Sequence, residues 1–207
     1  LRSIKGFAQI LQRKTNDKLS VEEKEVFDII INNTQKMSEL LADLNTLGQV
    51  SKNKIKEEVV DWTALVADIQ QDRRDTITTR NAKIELHGDV QEIMGQAGLL
   101  KQLFSNLIGN ALKFVKEDTQ PHVKIEAVHQ KGEQVFKIMD NGVGISNEYR
   151  DKVFQVFTRL NSESTFKGSG IGLASCKKIV DLHHGTITVT DSELGGTCFV
   201  IRLPQNR

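Results

Sequence analysis

The sequence contains little proline, cysteine or aromatic side chain, and its charges are balanced. Two prolines, two cysteines, one tryptophan and one tyrosine occur in 207 residues. Cys176 and Cys198 are too few for a disulfide scaffold and lack the spacing of a metal site, so we expect reduced thiols and a cytoplasmic location. With 28 basic and 27 acidic residues the net charge is +1, which argues against a nucleic-acid partner.

Long apolar runs are also absent. No stretch approaches the roughly 20 residues that a membrane-spanning helix needs, and the first residues lack the apolar core of a signal peptide. Hydrophobic residues make up 38% of the chain and charged residues 27%, which is typical of a soluble globular protein. Because the first residue is Leu1 and not methionine, we expect the chain to be a fragment of a longer protein.

Residues 1–50 contain no proline and only two glycines, which predicts two helices with a break at residues 15–18. Ser20 and Glu23 have the spacing of a capping box at the start of the second helix. Because two helices cannot cover a coiled-coil seam alone, we expect a hairpin that pairs with a second copy of the chain as a four-helix bundle; a hairpin folded onto its own chain is the alternative. The seam consists of apolar residues at heptad-like spacing: Ile30, Met37, Leu40, Leu44 and Leu47.

A polar linker at residues 51–54 ends this pattern, so we predict two domains, over residues 1–53 and 54–207. In the second domain, helices are predicted from Asp61 to about Arg80 and over residues 97–115 and 170–183. The architecture predicted for the second domain is an α/β two-layer sandwich, a mixed sheet with helices on one face, which follows the two-helix hairpin. Alternating apolar residues predict its strands around residues 123–127, 136–138, 187–189 and 199–203.

Residues 102–114 are predicted to form a helix with a polar ridge beside an apolar stripe. Asn106, Asn110 and Lys113 fall within roughly 60° of one another on this helix. Two amide oxygens and an ammonium group suit a hard cation and phosphate oxygens, because Mg2+ prefers oxygen ligands and lysine supplies a point charge. Taken alone, such a ridge is more often a solvated helix face.

Asp140 ends a predicted strand and is followed by two nearby glycines. Its side chain points to the same side as Phe136 and Ile138, which puts a carboxylate at the rim of the core. A buried carboxylate needs a hydrogen-bond donor, and the amino group of a purine could provide one. Gly142 and Gly144 would let the backbone approach a flat ring. An isolated Asp-Asn-Gly, however, usually marks a hairpin turn.

A glycine-rich segment, residues 167–174, leads into the last predicted helix. Glycines at a helix start expose N–H groups to an anion, so Gly168, Gly170 and Gly172 form a candidate phosphate cradle. Their spacing does not match the dinucleotide-binding pattern Gly-x-Gly-x-x-Gly, and the chain has no Walker A sequence. The polar residues 158–168 are either a lid or an ordinary surface loop.

Together, the order and spacing of these motifs resemble the catalytic and ATP-binding domain of sensor histidine kinases, in the ATPase superfamily shared with Hsp90, gyrase B and MutL. Residues 1–50 resemble the dimerisation and phosphotransfer hairpin, most closely that of phytochrome-like kinases. Four further segments resemble the family's motifs: residues 106–114 the N box, 140–144 the G1 box, 154–160 the F box and 168–173 the G2 box. Gly195-Gly196-Thr197 is similar to the last glycine motif.

The resemblance implies a function and a set of residue roles. The cofactors would be ATP and Mg2+, with Asn110 as the metal ligand, Asn106 helping to position metal and phosphate, and Lys113 contacting phosphate. Asp140 would accept a hydrogen bond from the adenine amino group. The nucleotide-binding residues implied in this way are Asn106, Asn110, Lys113, Phe114, Asp140, Gly142, Gly144, Gly168, Gly170, Gly172, Leu173 and Thr197.

The resemblance also implies a reaction and partners. The parent protein would be a homodimer that transfers the γ-phosphoryl group of ATP to a histidine, then to an aspartate on the receiver domain of a response regulator. In the ATPase branches a glutamate acts as general base at the position of Asn106, and an amide there favours phosphotransfer over water activation.

Two features depart from the family pattern. His184 stands where the family usually has a glycine, which we expect to be a harmless surface change. The phosphoacceptor histidine is missing, and in the family it lies shortly before the segment that resembles the start of this chain. Structural or surface roles are expected for the five histidines that are present: His87, His122, His129, His183 and His184.

Two other functions are compatible with these residues. The chain could be a catalytically silent scaffold whose hairpin binds a partner. It could also be an anti-sigma-factor serine kinase of the same superfamily, but those proteins lack a dedicated helical hairpin, so residues 1–50 argue against this alternative.

Overall fold

The computed structural model describes residues 2–15, 19–20, 23–31, 34, 37, 56–156, 158 and 170–205. The helices within these ranges are α1 (Arg2–Thr15), α2 (residues 23–31), α3 (Trp62–Asp72), α4 (Arg74–Thr79), α5 (Ala97–Lys113) and α6 (Gly172–Leu182). The strands are β1 (Glu58–Asp61), β2 (Lys83–Gly88), β3 (Glu92–Gly95), β4 (His122–Gln130), β5 (Glu133–Asp140), β6 (Thr186–Asp191) and β7 (Thr197–Pro204). No described helix is long and apolar enough to cross a membrane.

The capping box predicted at the start of the second helix is present. The Glu23 backbone N–H donates to Ser20 Oγ at 3.2 Å, and the Ser20 N–H donates to Glu23 Oε2 at 2.8 Å. The bond from the Ser20 N–H lowers the pKa of the Glu23 carboxyl. Gln12 Nε2 donates to Asp28 Oδ1 at 2.8 Å, which ties α1 to α2. The two predicted helices therefore do lie side by side.

Apolar side chains on both helices of this hairpin remain exposed within one chain. The exposed side chains are Ile4, Phe7, Ile10 and Leu11 on α1, with Val26, Ile29, Ile30 and Met37 on the second helical segment. Of the predicted seam, Leu40, Leu44 and Leu47 lie outside the described residues, as does the predicted linker at residues 51–54.

The main sheet confirms the predicted two-layer sandwich. Its five strands run in the order β2-β4-β5-β7-β6, with β2 parallel to β4 and every other neighbouring pair antiparallel. The inward-facing residues of the sheet and the buried faces of α3, α5 and α6 form one hydrophobic cluster, so these helices cover one face. The other face carries ion pairs such as Lys137 with Glu126, whose Nζ and Oε2 atoms are 2.7 Å apart.

Three strands were not predicted from the sequence. β1 and β3 are four residues each and pair with one another in a separate antiparallel ribbon. β2 is an edge strand of the main sheet and carries Lys83, Glu85 and His87. β1 and β3 are too short for an alternating pattern to mark them. β2 does alternate, with Ile84 and Leu86 between Lys83, Glu85 and His87, and this signal was missed.

The helix predicted from Asp61 to Arg80 is divided into α3 and α4. Asp61 caps α3 as predicted, accepting a hydrogen bond from the Ala64 N–H at 2.9 Å. The break falls at Arg73, whose φ of −111° and ψ of 13° are not helical. From this break the Arg73 guanidinium reaches α5 and donates to the Ser105 carbonyl at 2.8 Å.

Three aromatic rings hold α5 against the sheet and α3. The ring centroids of Trp62, Phe104 and Phe136 lie 4.7 to 5.2 Å apart in tilted or edge-on geometry. All three side chains are fully buried. Because edge-on aromatic pairs add about 0.5 to 1.5 kcal/mol beyond area burial, this cluster fixes the helix that carries the predicted polar ridge.

Candidate functional site

Asp140 is a buried carboxylate at the carboxyl end of β5. Its residue is 5% exposed, and Oδ1 accepts hydrogen bonds from the backbone N–H groups of Gly142 and Thr197, each at 2.8 Å. Burial raises the pKa of Asp140, and the two hydrogen bonds act in the opposite direction. Among the described residues no hydrogen bond reaches Oδ2, so this oxygen could accept one from a ligand.

The backbone around Asp140 is packed too closely for side chains. A Cβ on Gly196 would lie under 3.0 Å from Asp140 Oδ1 and from the Gly142 nitrogen, and a Cβ on Gly142 would lie equally close to the Phe114 carbonyl oxygen. The Val143 N–H donates to the Phe114 oxygen at 2.9 Å, which fixes this approach. The chain itself therefore fills the space that a Cβ on Gly142 would need. Gly144, in contrast, has a φ of +74° that favours glycine.

The polar ridge predicted on α5 exists and is half-buried, unlike an ordinary solvated helix face. Asn106 Nδ2 donates to the Gly172 carbonyl at 3.4 Å, so the ridge contacts the start of α6. The side chain of Asn110, one turn further on, makes no hydrogen bond to the described residues. Lys113 Nζ lies 4.7 Å from the Phe114 ring centroid, a cation–π distance.

The glycine-rich segment is described from Gly170 onward. Gly170 has a φ of +72°, and Gly172 is the first residue of α6. Leu173 packs against the hydrophobic core, and Thr197 is buried beside Asp140. Gly168 and most of the predicted lid, including its residues 159–168, lie outside the described residues.

The fold joins predicted site residues in two groups, one around Asp140 and one where α5 contacts the start of α6. Asp140, the last turn of α5 and the carbonyl of Phe114 meet at the carboxyl end of β5, the central strand, while Asn106 links α5 to the start of α6. This arrangement offers a carboxylate oxygen, amide groups and an ammonium around the ends of two helices.

The comparison with protein families identifies this arrangement. The sequence model of the family described as "Histidine kinase-, DNA gyrase B-, and HSP90-like ATPase" matches residues 95–207. The chain belongs to this family. The matched segment includes α5, Asp140, α6 and Thr197, whereas α3 and α4 precede it.

Curated relatives match nearly the whole chain and not only this domain. Cyanobacterial phytochrome A from Nostoc is 31% identical over 205 residues, which is 99% of this chain and 26% of that protein. The chain spans about a quarter of the length of the curated relatives that it matches first.

Two solved structures, full-length ShkA and the histidine kinase ThkA, share the fold. ShkA in complex with AMPPNP has a TM-score of 0.75 at 22% identity, over 97% of this chain and 42% of that one. ThkA in complex with the response regulator TrrA has a TM-score of 0.67 at 20% identity, over 99% of this chain and 58% of that one.

Two residues that shape the ATPase site were missed as site residues. Asn141 Oδ1 accepts from the His122 N–H at 2.9 Å, and its Nδ2 donates to the Gln120 carbonyl at 2.9 Å, so this side chain holds the start of β4. The sequence marks Gly196 only as part of a glycine motif. Its close contact with Asp140 could not be read from the sequence, because Asp140 ends β5 and Gly196 lies in the turn before β7. Both residues lie beside the end of a strand, and this position was the feature of the sequence that could have identified them as site residues.

Three of the five histidines have structural partners. His183 is buried; its Nδ1 lies 2.8 Å from the Ile179 carbonyl, and its Nε2 accepts from the Gln96 N–H at 3.2 Å. His122 and His87 both contact Glu85, whose pKa is lowered to about 2, chiefly by the hydrogen bond from Lys83.

His129 and His184 are exposed. His184 has a φ of +56°, in the left-handed region. The glycine usual at this position therefore has a backbone reason, because a residue with a Cβ is strained there, and the expectation of a harmless change was incomplete.

Proposed function

We propose that the chain is the kinase core of a two-component sensor, which binds ATP with Mg2+ and supplies the γ-phosphoryl group to a histidine upstream of Leu1. The single observation that carries this proposal is the buried Asp140 carboxylate, with one oxygen held by Gly142 and Thr197 and the other available to a ligand. A purine amino group is a donor that suits such an acceptor. Membership of the ATPase family makes ATP the nucleotide to test first.

The adenine and phosphate halves of ATP would contact different parts of the site. Asp140 accepts from the adenine amino group, with Phe114, Leu173 and Thr197 bordering the ring. The backbone at Gly142 and Gly144 closes the site beside Asp140. The phosphates lie between α5 and the start of α6, where the three glycines Gly168, Gly170 and Gly172 leave backbone N–H groups accessible.

The donor set on α5 fits Mg2+. Asn110 contributes an amide oxygen, Asn106 positions metal and phosphate, and Lys113 balances phosphate charge. Among the described residues no group of three or more histidine, cysteine or acidic side chains could hold a metal. Mg2+ does not need such a cage, because it keeps several waters and is held through one or two protein oxygens and the substrate phosphates. The metal would neutralise charge on the phosphates, while α5 fixes their position.

The two parts of the chain have different roles. Residues 54–207 hold the nucleotide. Residues 1–53 belong to the hairpin that dimerises in the parent protein and receives the phosphoryl group on the histidine upstream of Leu1. A response-regulator receiver domain is the next acceptor; ThkA, which shares the fold, has been solved with such a partner. The buried thiols of Cys176 and Cys198 favour a cytoplasmic setting.

Phosphotransfer is tested by adding the missing acceptor. The chain as it stands should bind ATP but not label itself, because phosphoryl transfer needs a nucleophile in line with the γ-phosphorus. A chain extended upstream to include the expected histidine should become labelled by γ-labelled ATP. The label should be lost in acid, because a phosphoramidate hydrolyses there and a phosphoserine does not.

The control for this experiment is the extended chain with its added histidine replaced by glutamine. Acid-labile label on the unextended chain would mean that one of the five histidines is the acceptor. If the extended chain bound ATP but stayed unlabelled, the silent-scaffold alternative would be preferred.

Dimerisation is tested through the exposed apolar face of the hairpin. Leu11 is 52% exposed in one chain, so a Leu11→Glu change should not disturb the fold of that chain. In a dimer it would bury an unpaired carboxylate, which is costly. Light scattering should report a dimer for the wild type and a monomer for Leu11→Glu.

Arg13→Glu is the matched control, because Arg13 lies on the opposite side of α1 and is exposed. It should remain dimeric. A wild-type chain that is monomeric at high concentration would rule out dimerisation through this hairpin.

A further inference from the structure

Arg80 contacts the end of α5, although it precedes the segment matched by the ATPase family and belongs to none of the predicted motifs. Its guanidinium donates to the carbonyl oxygens of Leu112 at 2.8 Å, Val115 at 3.3 Å and Lys116 at 3.2 Å. These oxygens belong to the last turn of the helix and the residues just after it, where carbonyls have no partner within the helix. A cation at this end is also favoured by the helix dipole.

The same short segment is held from its other side by the turn after Asp140. The Phe114 carbonyl accepts from the Val143 N–H at 2.9 Å. Residues 112–116 are thus fixed between Arg80 and this turn. Asn110 and Lys113 lie in the helical turn that ends in this segment, so its position also sets theirs.

We propose that Arg80 is a positioning residue for the phosphate half of the nucleotide site. It holds the last turn of α5, with Asn110 and Lys113, in register with the turn after Asp140. The proposal rests on the proposed function, because it concerns how Mg2+ and the phosphates of ATP are bound. Without the guanidinium, the three carbonyl oxygens must accept hydrogen bonds from water instead. The last turn of α5 then loses the contacts that hold it in place. Mutation of residues that orient the metal ligands without touching the metal typically lowers metal affinity or activity by about 10 to 100-fold.

Arg73 provides a matched control, because it also contacts α5. It also donates to an α5 carbonyl, that of Ser105 at 2.8 Å, and a Cβ on Gly109 would lie 2.5 Å from its Nη2. This contact is about two turns before the Leu112 carbonyl. Arg73 is partly desolvated, and this burial lowers the pKa of its guanidinium. Arg73→Gln removes the hydrogen bonds from the guanidinium to the Ser105 carbonyl and hydroxyl, so it should lower the stability of the fold and leave the last turn of α5 in place.

The experiment compares two ligands in four proteins. Wild type, Arg80→Gln, Arg80→Lys and Arg73→Gln are titrated with ATP plus Mg2+ by calorimetry, and with adenosine by NMR, and their melting temperatures are recorded. Arg80→Gln should weaken ATP–Mg2+ binding about tenfold and change adenosine affinity by less than about twofold. Arg80→Lys keeps the charge but lacks the planar fork, so it should fall between Arg80→Gln and wild type. Arg73→Gln should have a lower melting temperature than wild type. Its ratio of ATP–Mg2+ affinity to adenosine affinity should equal that of wild type.

The ratio of ATP–Mg2+ affinity to adenosine affinity in each variant decides the outcome. An unchanged ratio in Arg80→Gln, whether both affinities stay the same or fall equally, overturns the positioning role and leaves the proposed function standing. If Arg80→Gln does not fold, Arg80→Lys decides by the same ratio. A wild-type chain that binds neither ligand would remove the proposed function, and this role of Arg80 with it.

Discussion

An Asp140→Asn variant is expected to lose ATP affinity by about ten- to a hundredfold and to keep its fold. In the wild type, Asp140 Oδ1 accepts from the N–H groups of Gly142 and Thr197. An asparagine that keeps these two bonds through its oxygen must turn its NH2 group toward the ligand. Two donors, this NH2 and the adenine amino group, would then face each other. A hydrogen bond to a charged group contributes about 1.5 to 3 kcal/mol, which corresponds to roughly that range of affinity.

The fold should tolerate the Asp140→Asn change because the buried carboxylate is destabilising when it is ionised, as the raised pKa of Asp140 indicates. Burial raises the pKa of Asp140, so the folded protein binds the proton more tightly than the unfolded chain does. Above the pKa of the unfolded chain, the ionised carboxylate therefore costs stability, and a neutral amide removes that cost. Melting should accordingly occur at or above the wild-type temperature.

The matched control for this prediction is Asp89→Asn. Asp89 also accepts from a backbone N–H, that of His129 at 3.2 Å, but it lies toward the other end of the sheet. Calorimetry should give wild-type ATP affinity for this variant. Equal affinity for wild type and Asp140→Asn would show that Asp140 does not bind adenine.

A Gly196→Ala change is expected to abolish ATP binding and to destabilise the domain. The added Cβ would lie under 3.0 Å from Asp140 Oδ1, the Gly142 nitrogen and the Asp140 carbonyl oxygen. Two of these three atoms are backbone, so no flexible side chain can move to relieve the overlap. Forcing such overpacking typically costs about 1 to 3 kcal/mol, and here the relief must also disturb the Asp140 carboxylate. Thermal unfolding and calorimetry measure the two effects separately.

Gly98→Ala is the control for the same substitution at a different site. Gly98 lies in the first turn of α5, and a Cβ there meets no atom within 4 Å. Because alanine is the better helix former, this variant should be as stable as wild type or more stable. Wild-type stability and ATP affinity in Gly196→Ala would show that the turn relaxes easily and does not shape the site.

Features that depend on neighbouring residues could be predicted from the sequence. The capping box of Ser20 and Glu23 and the cap at Asp61 are local, since each joins residues three apart. The strands β4 and β6 bury alternate residues, and that alternation is visible in the sequence. The polar ridge of α5 follows from helical periodicity in the same way.

Contacts between distant segments required the tertiary structure. Nothing in the sequence near Arg80 or Leu112 indicates that these residues meet, 32 positions apart. The bond from the Thr197 N–H to Asp140 spans 57 positions and exists only because β5 and β7 are neighbours in the sheet.

The sequence by itself determined the order of the motifs, the helix and strand that carry them and the family they resemble. It also determined that Asp140 ends a strand on the core side. Only the tertiary structure decided why Gly142 and Gly196 must be glycine, and which arginines hold α5. The physical reason is that periodicity and capping are set by residues a turn or two apart, whereas close backbone packing depends on which strands and helices become neighbours.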